Sequence, residues 1–154
     1  MTDLQALKTF ENELNEIVFE CFDHLTALEL GQLMTHEALK NDLKIVIDIS
    51  KPNQQLYYYA CNYTSPDKGD WVRRKRNVVF QFHTSSIYIA EKLSKDNATL
   101  EDKYGLSTKT HVAAGGAVPI LVEGVGVIGA ITVSGMKPHE DHSFIINTIK
   151  AYLK

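Results

Sequence analysis

Arg73-Arg74-Lys75-Arg76 is the chain's one basic run. On a helix such a run is ordinarily a solvated face. At about 100° per residue, however, Trp71, Val72, Val78, Val79 and Phe82 form one apolar stripe, with Lys75 near its middle and Arg74 and Arg76 at its flanks. A lysine placed there has to snorkel, pair with an acid or bind something anionic. Asp48 and Asp141 are the acids that suit the pairing role. The position is therefore either a structural ion pair or an anion site.

The segment His111-Val112-Ala113-Ala114-Gly115-Gly116 is the second candidate. Two glycines let backbone approach a ligand or another chain closely, and they serve equally well in a plain tight bend. A neutral imidazole such as that of His111 is a common axial donor to haem iron. More often, a lone histidine is simply hydrogen-bonded in place.

Ser134, Asp141 and His142 lie close together in the chain and bring a hydrolase to mind. No G-x-S-x-G elbow surrounds Ser134, and neighbouring residues on a helix do not face each other, so a Ser-His-Asp triad is not expected. A carboxylate in the first helical turn is favoured in any case. His139 and His142 share a helical spacing, but no third metal ligand stands out. Gly124-Val125-Gly126-Val127-Ile128-Gly129 matches the dinucleotide fingerprint literally. It is followed by extended, β-branched sequence where that fingerprint needs a helix, and no acid follows at the distance of about 20 residues that a ribose ligand requires. Gly124 reads better as a hairpin turn residue and Gly129 as relief in a crowded strand.

The elements that would position these residues follow from periodicity. Leu4, Leu7, Phe10 and Leu14 predict a helix over 3–15, capped by Thr2 or Asp3. Residues 17–23 read as a strand. Thr26 and Glu29 have the capping-box spacing at the start of a second helix through Leu30, Leu33, Met34 and Ala38. Strands at 44–50 and 55–63 flank a Pro-Asn turn, and Asp70 is expected to cap the helix carrying the basic run. Ser85 or Ser86 caps another helix, and Thr99 with Asp102 marks a short helical turn. Strands at 119–123 and 126–135 and a helix after Pro138 close the chain. Strands in hairpin pairs with helices between the pairs predict an α+β fold, with one mainly antiparallel sheet of about five strands flanked by helices.

The 154 residues are 44% hydrophobic and 23% charged, with a net charge of -3. That is enough chain for one domain, 1–154, and one core, and too apolar for bulk disorder. The slight acidity gives no drive toward nucleic acid, and no apolar run is long enough for a bilayer. The first residues lack the pattern of a secretory signal, and Cys21 and Cys61 stand in no paired motif. Reduced thiols and a cytoplasmic location are expected.

The stretch AAGGAVPILVEGVGVIGAITVSGMKPHEDH resembles the signature of the haem-degrading (GlcG/HbpS-like) family. The matching residues are Gly115, Gly116, Pro119, Ile120, Gly124, Ile128, Gly129, Ile131, Val133, Ser134, Gly135 and Asp141. Upstream, IDIS at 47–50, Trp71, Arg74, Lys75 and Ser85-Ser86, with Asp141-His142 downstream, are similar to a branch of short stand-alone members. The resemblance covers about residues 17–153 and implies a profilin-like or PAS-like fold and a homo-oligomer built from dimers. For some members it also implies haem as ligand. The expectation is thus a small-ligand-binding protein, taking haem or another small anionic metabolite. Arg74 and Lys75 would face its carboxylates, His111 or His142 would serve as donor, and Gly115, Gly116, Ser134 and Asp141 would lie nearby. The alternatives are a small-metabolite enzyme using Lys75 and a histidine, and a purely structural assembly protein.

Overall fold

The computed structural model describes residues 3–154. In chain order the elements are α1 (Asp3–Leu14), β1 (Val18–Phe19), α2 (His24–Lys40), β2 (Val46–Lys51), β3 (Gln54–Ala60) and α3 (Pro66–Phe82). They continue with α4 (Ser86–Lys95), α5 (Leu100–Tyr104), β4 (Ala117–Val122), β5 (Gly126–Ser134) and α6 (Pro138–Leu153). The five strands form one sheet in the order β1-β4-β5-β2-β3. β1 pairs with β4 in parallel and every other pairing is antiparallel. The α+β architecture with helices on both faces agrees with the pattern of strand pairs.

The two faces of the sheet differ in kind. Ile45, Ile47, Ile49, Val118, Ile120, Ile131 and Val133 belong to the main core cluster, which α2 and α6 close with Leu30, Met34, Ile145, Ile146 and Ile149. α2 fits closely because of Gly31: a Cβ there would stand 2.4 Å from the Tyr57 ring. Tyr57 in turn shares a 2.6 Å hydrogen bond with Thr35. On the opposite face, Val46, Asp48 and Ser50 lie across from Ser134, Thr132 and Ala130, with Ala117 and Pro119 one strand further on. These side chains are small or polar, and α3 packs over them with Val72, Lys75, Val78 and Val79 buried.

Several expected starts and ends moved. The strand at 17–23 shortens to Val18–Phe19. Thr26 is not the cap of α2: Asp23 is, and Thr26 returns the favour by accepting from the Asp23 N–H. α3 begins one turn before Asp70, with Ser65 as cap residue and Pro66 in the first turn, where a missing N–H costs nothing. Asp70 instead faces Arg73 and Arg74 within the helix. Ser85 and Thr99 cap α4 and α5 as expected. The β4–β5 turn holds Gly124 and Gly126 at φ 75° and 108°, and a Cβ at Gly129 would collide with the Ser50 carbonyl at 2.4 Å. Thr2, one of the two caps expected for α1, lies outside the described residues.

Candidate functional site

The α3 stripe resolves the choice of acid for Lys75. Its Nζ donates to Asp141 Oδ2 at 3.0 Å and to the Val133 carbonyl at 3.0 Å. The two side chains are 3% and 1% exposed. Asp141 sits in the first turn of α6 and also accepts from the Met136 N–H at 3.0 Å. Burial pushes the Lys75 ammonium below its ordinary value while Asp141 opposes the shift. Burial likewise pushes the Asp141 carboxyl up, against Lys75 and the backbone N–H groups beside it. Asp48 goes to the neighbouring residue instead, accepting from Arg76 Nη1 at 3.1 Å.

Gly116 makes the room for this pair. Its φ is 126°, and a Cβ there would lie 2.5 Å from Lys75 Nζ and 2.6 Å from the Val133 carbonyl. Gly115 meets the start of α6 in the same way, 2.4 Å from the Pro138 carbonyl. The glycine pair therefore brings backbone against the Lys–Asp pair and the helix that holds it.

A pocket of about 220 Å³ opens over the pair, lined by Lys68, Trp71, Lys75, Ala114, Ser134, Gly135, Met136, Pro138 and Asp141. Trp71, Met136, Ala114 and Pro138 give it an apolar wall. Lys68 is close enough to disfavour the charge on Lys75. Arg74 does not line the pocket. Its guanidinium lies over the Trp71 ring, 4.7 Å from the centroid, and reaches Asp70 and the Thr108 carbonyl. It braces the aromatic wall from behind.

The two histidines turn elsewhere. His111 contacts Thr110 Oγ1 through Nδ1, on a loop that Arg73, Arg74 and Asn77 bind to α3. Burial, then the nearby Arg73 charge, lowers its pKa. His142 follows Asp141 in sequence but faces α1: Nε2 meets Glu13 Oε1 at 3.0 Å, and the ring stands edge-on to Phe10. Together with Lys150–Glu16 at 2.8 Å, it fastens α1 and the turn that follows it to α6. The structure thus gathers Lys75, Gly116, Ser134 and Asp141, and leaves Arg74, His111 and His142 outside the pocket. Lys68, Trp71 and Met136 were not among the expected residues. Trp71 had a visible signal in its place on the apolar stripe, whereas Lys68 and Met136 had none.

These features define a class: a small α+β domain whose mainly antiparallel sheet carries a ligand-sized pocket over a buried ion pair. A family model described as haem degrading protein HbpS-like matches residues 22–150. The chain belongs to that HbpS-like family. A UPF0303 protein of Serratia proteamaculans is 46% identical over 98% of this chain and 92% of its own length. One of Paraburkholderia phymatum is 40% identical over 98% and 90%. Among solved structures, that of the Ybr137w protein superposes with a TM-score of 0.88 at 26% identity, covering 95% of this chain and 86% of the other. The crystal structure of the PduOC:Heme complex superposes with a TM-score of 0.68 at 16% identity, over 88% and 94% of the chains, and shares the fold.

The donor set at the pocket does not suit haem. The lining contains no histidine, cysteine or tyrosine, and the side chain of its one methionine, Met136, belongs to the apolar wall. Both ionisable groups at the floor are engaged with each other, and about 220 Å³ is too small for a porphyrin. Among the described residues, no group of three or more His, Cys, Asp or Glu could hold a metal ion, and no helix is long and apolar enough to cross a membrane.

Proposed function

We propose that this protein binds a small anionic metabolite with an apolar body in the pocket over Lys75 and Asp141. The observation that carries the reading is charge against lining. Two ammonium groups, Lys68 and Lys75, face a pocket walled by Trp71 and Met136; the buried carboxylate balances Lys75, while among the described residues Lys68 has only the solvent-exposed Asp67, at 3.9 Å. Such a site favours a carboxylate at the polar end and a flat or aliphatic group at the other. Binding rather than turnover is what the arrangement supports, because no histidine lines the pocket and its buried acid and base are bound to each other.

We propose further that the protein is a cytoplasmic homo-oligomer. Its cysteines, Cys21 and Cys61, are both free. The outer side of α2 exposes Leu25, Leu28 and Leu39 on one helical face, an apolar stripe suited to a second copy.

Trp71 is the chain's one tryptophan, so its emission reports on the pocket alone. Titration with benzoate is expected to quench it, while benzyl alcohol, of the same shape without the charge, leaves it unchanged. Lys68→Ala, at a half-buried position, should weaken benzoate about tenfold, the usual loss of a charged hydrogen bond. Equal responses to benzoate and benzyl alcohol, or no response at millimolar benzoate, would overturn the proposal.

A further inference from the structure

A second network lies on the same face of the sheet, and the pocket beside it shares no residue with the first. Asp48 is fully buried, and its carboxylate accepts three hydrogen bonds. Ser50 Oγ reaches Oδ1 at 2.7 Å, while Gln55 Nε2 at 2.6 Å and Arg76 Nη1 at 3.1 Å reach Oδ2. A break in register assembles it. Ile49 lies across from Tyr57, but Ser50 lies across from Gln55, so Leu56 is bulged out. Without that bulge Leu56 would stand opposite Ser50, and Gln55 would point to the other side. The bulge exchanges a leucine for an amide on the Asp48 side.

The consequence is a fixed arginine. Asp48 holds one edge of the Arg76 guanidinium, and the side chain remains 25% exposed. It opens onto a pocket of about 390 Å³ formed by the β2–β3 hairpin, with Lys51, Asn53, Gln54 and Asn77 around it and Phe80 as its aromatic wall. Asn53 holds the turn at φ 66°. A guanidinium anchored on one edge by a buried acid presents its remaining N–H groups in a set direction, which suits a planar or tetrahedral oxyanion.

We infer that this hairpin pocket is a second binding site, taking a hydrophilic oxyanion: a carboxylate or phosphate on a hydroxylated body. Arg76 holds the charged group, Lys51 adds a second cation, the amides of Asn53, Gln54 and Asn77 meet the hydroxyls, and Phe80 lies under the carbon skeleton. The lining has far more polar groups than the Trp71 pocket, so the two sites select different molecules.

The test is a backbone-amide NMR titration with gluconate, glucose 6-phosphate and the neutral polyol sorbitol. At millimolar concentration, one or both anions are expected to shift the amide signals of residues 51–55, excluding 52, and of Asn77. Sorbitol should not. A response to gluconate alone identifies a carboxylate, and a response to glucose 6-phosphate alone identifies a phosphate. Arg76→Lys, which keeps the charge but not the fork, should weaken binding about tenfold. Lys51→Glu, at the turn, should abolish it while leaving the rest of the spectrum in place, so it serves even if the arginine variant folds poorly. The inference fails if neither anion moves the hairpin signals, if sorbitol moves them equally, or if Lys51→Glu binds as well as the parent chain.

Discussion

The two faces of the sheet are built on opposite rules. Toward α2 and α6, the inward side chains of the central strands are mostly branched hydrocarbons, and the helices answer largely in kind. Toward α3, the strands offer Asp48, Ser50, Thr132 and Ser134 among alanines, and the helix answers with Lys75 and Arg76. The first face gains stability from apolar area removed from water. The second spends buried charge, which seldom stabilises a fold relative to an apolar replacement. Both candidate pockets open at the second face. The face that gives least to stability is the one shaped for ligands.

The comparison breaks most visibly at Lys75. Lys75→Met orphans Asp141 in a site that is 1% exposed, and should cost about 3–5 kcal/mol in urea unfolding. Lys75→Met with Asp141→Leu should return to parental stability or exceed it, since an apolar pair of similar volume removes both desolvation costs. The single variant also carries a pH signature. With Lys75 gone, burial alone holds the Asp141 carboxyl above the ordinary 3.8. Between 3.8 and that raised value the folded state holds a proton the unfolded chain has lost. Stability of the variant therefore falls as pH rises through that window and recovers on acidification.

On the apolar face, Ile120→Ala should cost about 2–5 kcal/mol through the lost contacts and the cavity left behind. No partner substitution is expected to rescue it, and benzoate titration of Trp71 should be unaltered. Gly116→Ala should cost about 1–3 kcal/mol for its left-handed backbone. It should also abolish the Trp71 response, since the added methyl occupies the space beside Lys75 Nζ. The smallest effect is expected from Glu13→Ala, about 0.5–1.5 kcal/mol for one hydrogen bond to His142, with ligand response intact. A lost response there would bring His142 into the site.

Much of the frame was legible in the chain. The two hairpins announce themselves by β-branched runs around Pro52-Asn53 and Gly124, and the short capped helices by Ser85 and Thr99. Lys75 was legible because it interrupts an apolar stripe. Its partner was not, since Asp48 and Asp141 both lie far off in sequence, the true partner being the more distant, and only the packing of α3 across β5 assigns one to each cation. The hairpin network was invisible, because it depends on a bulge at Leu56 that periodicity does not reveal. Asp70 looked like a cap because Ser65-Pro66-Asp67-Lys68-Gly69 has the composition of a loop, although Ser65 followed by Pro66 is also a helix-start signal. His142 stood next to a site residue, but the docking of α1 decides which way it faces.

The central claim is that the pocket over the buried pair is a binding site for a small anion. Native mass spectrometry of gently purified protein tests it most directly, comparing the parent chain with Lys75→Met/Asp141→Leu. The account predicts a small anionic molecule co-purifying with the parent and absent from the double variant, with the same subunit count in both. A parent chain that carries nothing, or a double variant that keeps the same molecule, would contradict it.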